Sequence, residues 1–218
     1  MSYKDNFEFR IDIPYQYDND DIVRISSGGI RMYGWENKFY KPFKDKIKKY
    51  LVTKQKRRCG FCRIRLSRGT QYGTLEHIVG KDEYPDFTFN SLNLVYCCQV
   101  CNTAKSVKNT LVNANVVQLP TNSNDYSIIN PYYDDYLQHI DFIDDIIIKV
   151  KNNSVKGKNT IDFYELDRMS LAEDRAFEMN ISFDEAVDIL TLRVTKYNDP
   201  EILQRIIEII DDMEDWEL

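Results

Sequence analysis

Two Cys-x-x-Cys pairs constrain this chain more than any other feature of its sequence; they are Cys59–Cys62 and Cys98–Cys101. Two residues between thiolates allow a tight turn to direct both sulfurs at one ion, and four thiolates form a tetrahedral shell that suits Zn²⁺. Such pairs in a cytosolic protein indicate a metal site before a disulfide, and no βαβ pattern supports a thioredoxin-like redox motif. The sequence therefore predicts a structural Zn²⁺. The fifth cysteine, Cys97, is expected to pack as a small buried residue, although it could also replace Cys98 as a ligand.

The composition is that of a globular protein, with 43% hydrophobic and 29% charged residues in a chain of 218. These values argue against a disordered chain, a collagen or a coiled coil, and the length suits one domain or one domain with a substantial extension. No apolar run approaches the roughly 20 residues that a membrane helix needs. The N-terminus, Met1 to Asp5, is too polar and acidic for a signal peptide. We therefore expect a cytoplasmic protein with no membrane partner.

The charge is distributed unevenly along the chain, although the net charge is only −6. The segment from Lys38 to Arg68 contains thirteen basic residues and one acid, Asp45, whereas residues 199–218 contain eight acids and one base. A strongly basic stretch inside an acidic chain is typical of a surface that binds phosphates. The simpler alternative is a solvated basic face on a helix. The basic stretch leads directly into the first cysteine pair, which favours the phosphate-binding interpretation.

The hydrophobic pattern divides the chain into three segments. Residues 1–55 are expected to form a short strand, because Phe7 to Ile13 alternate apolar and polar residues, followed by a basic amphipathic helix. Residues 56–115 contain both cysteine pairs and are expected to end in a helix from Asn102 to about Asn115. Residues 116–218 are expected to form a mainly helical extension, with an Ile-rich β-hairpin near residues 140–151 and a helix that begins at Asp199-Pro200. This extension should pack on the central segment, and it is a candidate surface for docking a partner.

Residues suited to phosphodiester hydrolysis lie between and beside the cysteine pairs. Glu76 and His77 are adjacent, and Asn93, Asn102 and Lys105 follow. Hydrolysis of a phosphodiester needs a base that takes a proton from water and a cation that stabilises charge in the transition state. His77, neutral near pH 7, is a suitable base, and the Glu76 carboxylate is a hard oxygen ligand for Mg²⁺ or Mn²⁺. A lone histidine is more often structural than catalytic, so its neighbours decide the interpretation.

The order and spacing of these residues resemble the HNH endonuclease family. The matching motifs span residues 59–105 and read Cys59-x-x-Cys62, Glu76-His77-Ile78, Asn93-Leu94 and Cys98-x-x-Cys101-Asn102-x-x-Lys105. The resemblance implies an α+β fold, in which a ββα-metal nuclease core, stapled by the structural zinc, lies within a mainly α-helical surround. The chain departs from the pattern at Glu76, where many members of the family have Asp.

The resemblance also implies a role for each site residue. Glu76 and Asn102 would hold the catalytic Mg²⁺ or Mn²⁺, His77 would be the base, and Asn93 would orient or support His77. The zinc would be structural, because four thiolates leave it no open position. The residues expected to contact the nucleic-acid backbone are Lys105, Arg57, Arg58, Arg63 and Arg65. The implied reaction is metal-dependent hydrolysis of DNA to 5′-phosphate and 3′-hydroxyl ends.

A second and looser resemblance lies downstream of these motifs. The segment from Ile129 to Asp135, then His139 and Leu166 to Arg175, is similar to the C-terminal half of PtuB-type HNH proteins. Those proteins are nucleases of Septu antiphage systems, and similar ones accompany some retrons. The resemblance implies an effector nuclease that acts with a PtuA-like ATPase. His139 could be a second functional residue, but a hydrogen bond to backbone or to an acid such as Asp135 or Asp141 is the simpler interpretation.

Two other functions remain open from the sequence. A zinc-finger module could bind nucleic acid or a partner without cutting, but it would need neither Glu76, His77 nor Asn102. The same catalytic site could also act on RNA, for example tRNA, because nothing in the sequence distinguishes a ribose with a 2′-hydroxyl from a deoxyribose.

Overall fold

The computed structural model describes residues 2–28, 34–66 and 73–181, together with seven isolated positions between 185 and 207. The helix expected from Asp199 and the acidic stretch of residues 199–218 lie almost entirely outside the described residues.

The described chain is a mixed α/β structure with two small sheets. Its helices are α1 (Asn19–Gly28), α2 (Lys41–Lys54), α3 (Gln99–Lys105), α4 (Val155–Tyr164) and α5 (Met169–Glu178). Its strands are β1 (Gly73–His77), β2 (Leu94–Cys98), β3 (Ile140–Ile143) and β4 (Ile147–Val150). Strands β1 and β2 form one two-stranded sheet, and β3 and β4, which lie in the Ile-rich segment, form the other. None of the helices in the described part of the chain has the length and apolar character needed to cross a membrane.

The strand expected over Phe7 to Ile13 is wrong. Residues Tyr3–Phe7 form a 3₁₀ turn, and the residues after it have no regular secondary structure. Phe7 and Ile11 are nevertheless buried, and the backbone N–H of Ile11 donates to the carbonyl of Pro131 at 2.8 Å. The alternating pattern therefore indicates which side chains enter the core, and such burial does not require the segment to pair with another strand.

The lysine-rich segment forms α2, which packs on the core through one stripe. Phe43, Ile47 and Leu51 are fully buried and recur every four residues, so they lie on one helix face. Pro42 lies in the first turn, where its missing N–H costs no hydrogen bond. Phe43 also contacts the ring of Phe89 at 5.8 Å between centroids. This packing fixes the rotation of α2 and so decides which of its lysines face the rest of the molecule.

Helix α3 is shorter than expected, because it ends at Lys105 rather than near Asn115. Ser106 has a φ of 48°, which interrupts the helical repeat. The chain beyond it is held by long-range hydrogen bonds: the Thr110 hydroxyl donates to the Ile78 carbonyl at 2.9 Å, and the Thr110 carbonyl accepts from Ser127 N–H at 2.8 Å. These bonds replace the intrahelical bonds that a longer helix would make.

The chain divides into two compact units. One comprises residues 1–6, 141–149 and 167–218; its described core contains Ile143, Ile146, Ile147, Ala172 and Ala176. The other comprises residues 7–140 and 150–166 and contains both cysteine pairs with every candidate site residue. The segment 116–218 thus contributes to both units.

Candidate active site

The hairpin β1–β2 and the helix α3 bring the candidate residues together. The two strands are antiparallel, with Gly73 opposite Cys98 and His77 opposite Leu94. Asn93 immediately precedes β2, and Asn102 lies on α3, which follows β2 directly. Residues far apart in sequence therefore become neighbours through one short strand pair and one helix.

The four cysteines of the two pairs form a compact cluster. Their Sγ atoms all lie within 4.8 Å of one another, all four residues are buried, and Cys62 Sγ lies 3.8 Å from Cys98 Sγ. An ion about 2.3 Å from each sulfur at the centre of a tetrahedron requires S–S distances of about 3.8 Å, so the donor set fits Zn²⁺. No other group of three or more His, Cys, Asp or Glu side chains within residues 2–28, 34–66 and 73–181 is gathered closely enough to hold a metal.

The surroundings of the cluster suit thiolates bound to a cation. Cys59 Sγ accepts from the backbone N–H groups of Phe61 at 3.5 Å and Cys98 at 3.4 Å, and Cys98 Sγ accepts from Cys101 N–H at 3.3 Å. Burial raises the pKa of Cys62 well above its usual value, and a buried thiolate therefore needs a positive partner. Cys97 is buried outside the cluster, which supports Cys98 rather than Cys97 as the fourth ligand.

Gln55, which the sequence did not single out, joins the first cysteine pair to β2. Its buried amide donates to the carbonyls of Arg58 at 2.9 Å and Tyr96 at 2.6 Å, and its oxygen accepts from Tyr96 N–H at 2.9 Å. Gly60 approaches the same strand so closely that an added Cβ would lie 2.2 Å from a Val95 methyl group. These contacts align the two halves of the cysteine cluster without help from an ion.

His77 lies at the end of β1 and is almost fully buried. Its side chain is 2% exposed, and its Nε2 lies 3.0 Å from the carbonyl oxygen of Thr88. The ring packs against Trp35 with 4.6 Å between centroids. Burial lowers the pKa of His77 to about 3, so the imidazole is neutral at pH 7. Sequence reasoning did not identify Trp35 as a neighbour of the site. The available signal was its rarity, because the chain has only two tryptophans.

Asn93 holds the loop that supports His77 rather than contacting the imidazole itself. Its fully buried amide donates to the carbonyls of Val79 at 3.0 Å and Phe87 at 3.2 Å, and its oxygen accepts from Val79 N–H at 2.7 Å. Both ends of the loop between β1 and Thr88 are therefore tied to one side chain. Because Thr88 binds the imidazole, the position of His77 depends on this loop.

Glu76, His77 and Asn102 line one cleft of about 280 Å³. The cleft is also lined by Trp35, Glu36, Lys44, Asp45, Lys48, Gly73, Thr74, Leu75 and Lys81. The Glu76 carboxylate and the Asn102 amide offer oxygen donors of the kind that Mg²⁺ and Mn²⁺ prefer. Two protein ligands would leave the remaining positions to water and to substrate oxygens, which fits the way Mg²⁺ is usually bound in phosphate-processing sites.

Two of the five basic residues expected to contact nucleic acid are buried. Arg57 and Arg65 are exposed and Arg58 is half-buried, whereas Arg63 and Lys105 are buried at 1% and 2% exposure. Arg63 donates to the Cys59 carbonyl at 3.1 Å and lies 3.7 Å over the ring of Phe9, which is a structural role. Lys105 pairs with Glu76 at 3.5 Å. Both departures arise because local charge does not reveal which basic side chains point into the core.

The lysines that do lie at the cleft were not predicted from the sequence. Lys44 and Lys48 come from α2, and Lys81 comes from the loop after β1. Lys44 donates to the carbonyl of Trp35 at 3.1 Å, and the Lys48 ammonium lies 5.3 Å over the ring of Tyr96. Lys44 and Lys48 belong to the basic run, but only the packing of α2 shows that they face the cleft, and Lys81 lies outside that run.

His139 lies in a separate polar cluster of the same compact unit. Its Nδ1 is 2.8 Å from the Ser154 hydroxyl, which caps α4 by accepting from Gly157 N–H at 3.0 Å, and its Nε2 is 3.9 Å from Asp134. Asp134 in turn binds Lys156 at 3.1 Å. The partners of His139 are thus the Ser154 hydroxyl and a nearby acid, Asp134, where the sequence suggested backbone or an acid such as Asp135 or Asp141. These contacts join the end of a 3₁₀ turn, Tyr136–Gln138, to α4.

No family model matches the chain. Two curated proteins are similar to it, and both are named Septu protein PtuB. The protein from Bacillus thuringiensis is 29% identical over 123 residues, which cover 56% of this chain and 42% of that protein. The protein from Bacillus mycoides (strain KBAB4) is 29% identical over 192 residues, which cover 78% of this chain and 65% of that protein. The chain therefore matches less than two thirds of the length of either relative. The chain thus combines homology to Septu PtuB with a four-cysteine cluster whose geometry fits zinc.

Proposed function

We propose that this chain is a metal-dependent endonuclease of HNH type that hydrolyses phosphodiester bonds in DNA. We further propose that it is the effector nuclease of an antiphage system and acts with a PtuA-like ATPase. The observation that supports the activity most strongly is that Glu76, His77 and Asn102 line one cleft beside the four-cysteine cluster. The similarity to Septu PtuB proteins supports the role in defence.

His77 is suited to the role of base because of its tautomer. A carbonyl only accepts hydrogen bonds, so the bond to Thr88 assigns the proton to Nε2 and leaves the lone pair of a neutral ring on Nδ1. Nδ1 takes a proton from water as the water oxygen bonds to phosphorus. The P–O3′ bond then breaks, and the 3′-oxygen takes its proton from solvent, leaving 5′-phosphate and 3′-hydroxyl ends.

Glu76 and Asn102 would hold the catalytic Mg²⁺ or Mn²⁺. When bound, such a cation stabilises negative charge on the phosphoryl and leaving oxygens. The zinc would have a different function, because four thiolates leave no open position for substrate. It would fasten the first cysteine pair to the start of α3, which positions Asn102, the residue directly after Cys101.

The test is cleavage of supercoiled plasmid in Mg²⁺ and in Mn²⁺, with EDTA as the metal-free control. We expect the wild-type chain to nick or linearise the plasmid and His77→Ala to lose at least about 100-fold in rate, a typical contribution of a general base. His139→Ala, which alters the other histidine of the chain, should cut at the wild-type rate. Equal cutting by wild type and His77→Ala would contradict the assignment of the site.

The same assay separates the alternatives when it is repeated with the cognate ATPase and with tRNA. A chain that cuts only with the ATPase present is an effector controlled by that partner. A chain that cuts tRNA and not DNA has the same site with a different substrate. A chain that binds DNA and cuts neither substrate, even with the ATPase, is a binding module, and the proposed activity is then wrong.

A further inference from the structure

Lys105 is a buried cation that lies against the carboxylate proposed to hold the catalytic ion. Its side chain is 2% exposed, and its Nζ is 3.5 Å from Oε1 of Glu76, which is 21% exposed. A buried ammonium persists in a fold only when it is paired. Lys105 is the last residue of α3, and Glu76 lies one residue before the end of β1. The ion pair therefore joins the two elements that supply the proposed metal ligands.

The proposed metal ligands carry no excess of negative charge before a metal ion enters, once Lys105 is counted with them. The charge of Glu76 is matched by that of Lys105, and Asn102 is uncharged. Of the other acids that line the cleft, Asp45 pairs with Lys41, and Glu36 is 83% exposed. The lysines on the same walls are also partly balanced, because Lys44 lies 4.0 Å from Glu36 and Lys81 lies 3.4 Å from Asp82. A divalent cation at Glu76 would thus meet a carboxylate whose charge is already balanced by Lys105, and it would have to compete with that ammonium.

We propose that Lys105 is a positioning residue that holds Glu76 in place and keeps the divalent-cation affinity low until a phosphodiester enters the cleft. This inference rests on the proposed function, because it takes Glu76 as a ligand of the catalytic ion. A phosphodiester brings one negative charge to the region that Lys105 and the metal ion share. Metal and nucleic-acid backbone then bind cooperatively, and linkage requires each to tighten the binding of the other by the same factor.

The experiment measures Mn²⁺ binding by electron paramagnetic resonance of the full-length, zinc-loaded chain. Mn²⁺ is titrated alone, with a short DNA duplex that contains 3′-methylenephosphonate linkages, and with a neutral methylphosphonate duplex of the same sequence. The first duplex keeps its negative charge and has no P–O3′ bond to break. We expect the charged duplex to lower the wild-type Mn²⁺ dissociation constant by about tenfold or more, within the usual range of coupling between sites, and the neutral duplex to change it little.

Three variants identify the contribution of Lys105. Lys105→Met should bind Mn²⁺ about tenfold more tightly than wild type without DNA, and the effect of the charged duplex should shrink. Lys105→Arg keeps the positive charge, so it should retain weak Mn²⁺ binding and the tightening of that binding by the charged duplex. This variant still tests the role of the charge if Lys105→Met does not fold. Lys108→Met removes an exposed lysine three residues later and should match wild type. Zinc content and circular dichroism establish that each variant is folded.

The outcomes separate this inference from the proposed function. If Glu76→Gln loses the Mn²⁺ site while folded Lys105→Met matches wild type in affinity and coupling, the role of Lys105 is wrong and the metal ligand stands. Loss of coupling in Lys105→Arg also overturns it, because the charge is retained. If wild type binds no Mn²⁺ even with the charged duplex, or Glu76→Gln binds it normally, the metal site itself is wrong and this inference falls with it.

Discussion

The Nε2 atom of His77 lies 3.0 Å from the carbonyl oxygen of Thr88, and this contact determines which ring nitrogen can accept a proton. The carbonyl can only accept, so Nε2 must carry the hydrogen and Nδ1 the lone pair. Thr88 lies at the end of a loop whose backbone is held by the buried amide of Asn93 at Val79 and Phe87. The tautomer of His77 therefore depends on an asparagine that does not contact the imidazole.

Replacement of Asn93 should impair both stability and cleavage. Asn93→Ala removes three hydrogen bonds and leaves buried backbone groups of Val79 and Phe87 without that partner. We expect the free energy of unfolding to fall by about 2–4 kcal/mol and the cleavage rate to fall at least about tenfold. Urea denaturation and plasmid cleavage, both well below the unfolding transition, measure the two effects.

Asn90→Ala is a matched control for that loop. Asn90 accepts a hydrogen bond from Leu92 N–H at 3.0 Å and caps a single 3₁₀ turn, so its loss should cost only about 1 kcal/mol and leave cleavage nearly unchanged. If Asn93→Ala is destabilised but cuts at the wild-type rate, the loop does not position His77, and another contact must do so.

The four-cysteine cluster should contain one tightly held zinc per chain that does not take part in catalysis. Cys62→Ala should lose the zinc and most of the stability, because the remaining thiols stay buried without their cation. Cys97→Ala, which alters the buried cysteine outside the cluster, should keep one zinc. Atomic absorption and thermal unfolding measure both, and loss of zinc from Cys97→Ala with retention in Cys62→Ala would contradict the ligand set.

A brief chelation step separates the two metals. EDTA applied at neutral pH for a short time should stop cleavage while the buried zinc stays bound, and added Mg²⁺ alone should restore the rate. If only added Zn²⁺ restores cleavage, the assignment of the two ions is reversed.

The cluster of four cysteines could be predicted because its chemistry is local. Two residues between cysteines suffice to point both thiols at one ion, and the antiparallel pairing of β1 with β2 brings the second pair alongside. That Glu76, His77 and Asn102 lie near one another was predictable for a similar reason, since two short strands and a helix leave few arrangements.

The positions of the basic residues could not be predicted, because they depend on tertiary packing. Arg63 and Arg65 are two residues apart, yet Arg63 is buried over Phe9 and Arg65 is exposed. Lys44 and Lys48 lie at the cleft because α2 buries its opposite stripe in the core. Lys81 reaches the cleft from the loop after β1. Tertiary packing also explains the strand that was wrongly predicted, because Phe7 and Ile11 are buried without belonging to a sheet. Helix α3 ends earlier than predicted because Ser106 has a positive φ, which the sequence pattern does not show.

His139 should make stability sensitive to mild acid. Burial lowers its pKa below 6.5, while Asp134 raises it and Lys156 lowers it. As the pH falls, His139 in the unfolded chain takes up a proton near pH 6.5, whereas in the folded chain it does so only at lower pH. The contribution of neutral His139 to the free energy of unfolding is therefore complete above about pH 6.5 and is lost as the pH falls towards the folded pKa. Urea midpoints at about pH 7.5 and about pH 5.5 should differ more for wild type than for His139→Asn. Protonation of the cysteines affects the urea midpoints of both proteins alike, so it does not enter the difference between them. The same pH dependence in wild type and His139→Asn would contradict the prediction.

Lys48 should contribute to nucleic-acid binding, whereas its neighbour Lys49 should not. Both are exposed on α2, but only Lys48 lines the cleft with Glu76 and His77. Each phosphate contact adds an electrostatic, salt-dependent term to DNA affinity. We expect Lys48→Gln to weaken binding of a DNA duplex about threefold to tenfold at low salt and to reduce the salt dependence by about one counterion, with Lys49→Gln at the wild-type value.

A small substrate tells binding apart from chemistry at the same cleft. Bis(p-nitrophenyl) phosphate has a phosphodiester but no flanking backbone, so Lys48→Gln should hydrolyse it at the wild-type rate while cutting DNA more slowly. Fluorescence anisotropy measures the duplex affinity, and absorbance measures the small-substrate rate. If Lys48→Gln and Lys49→Gln weaken DNA binding equally, the effect is one of overall charge, and the DNA backbone does not pass along α2.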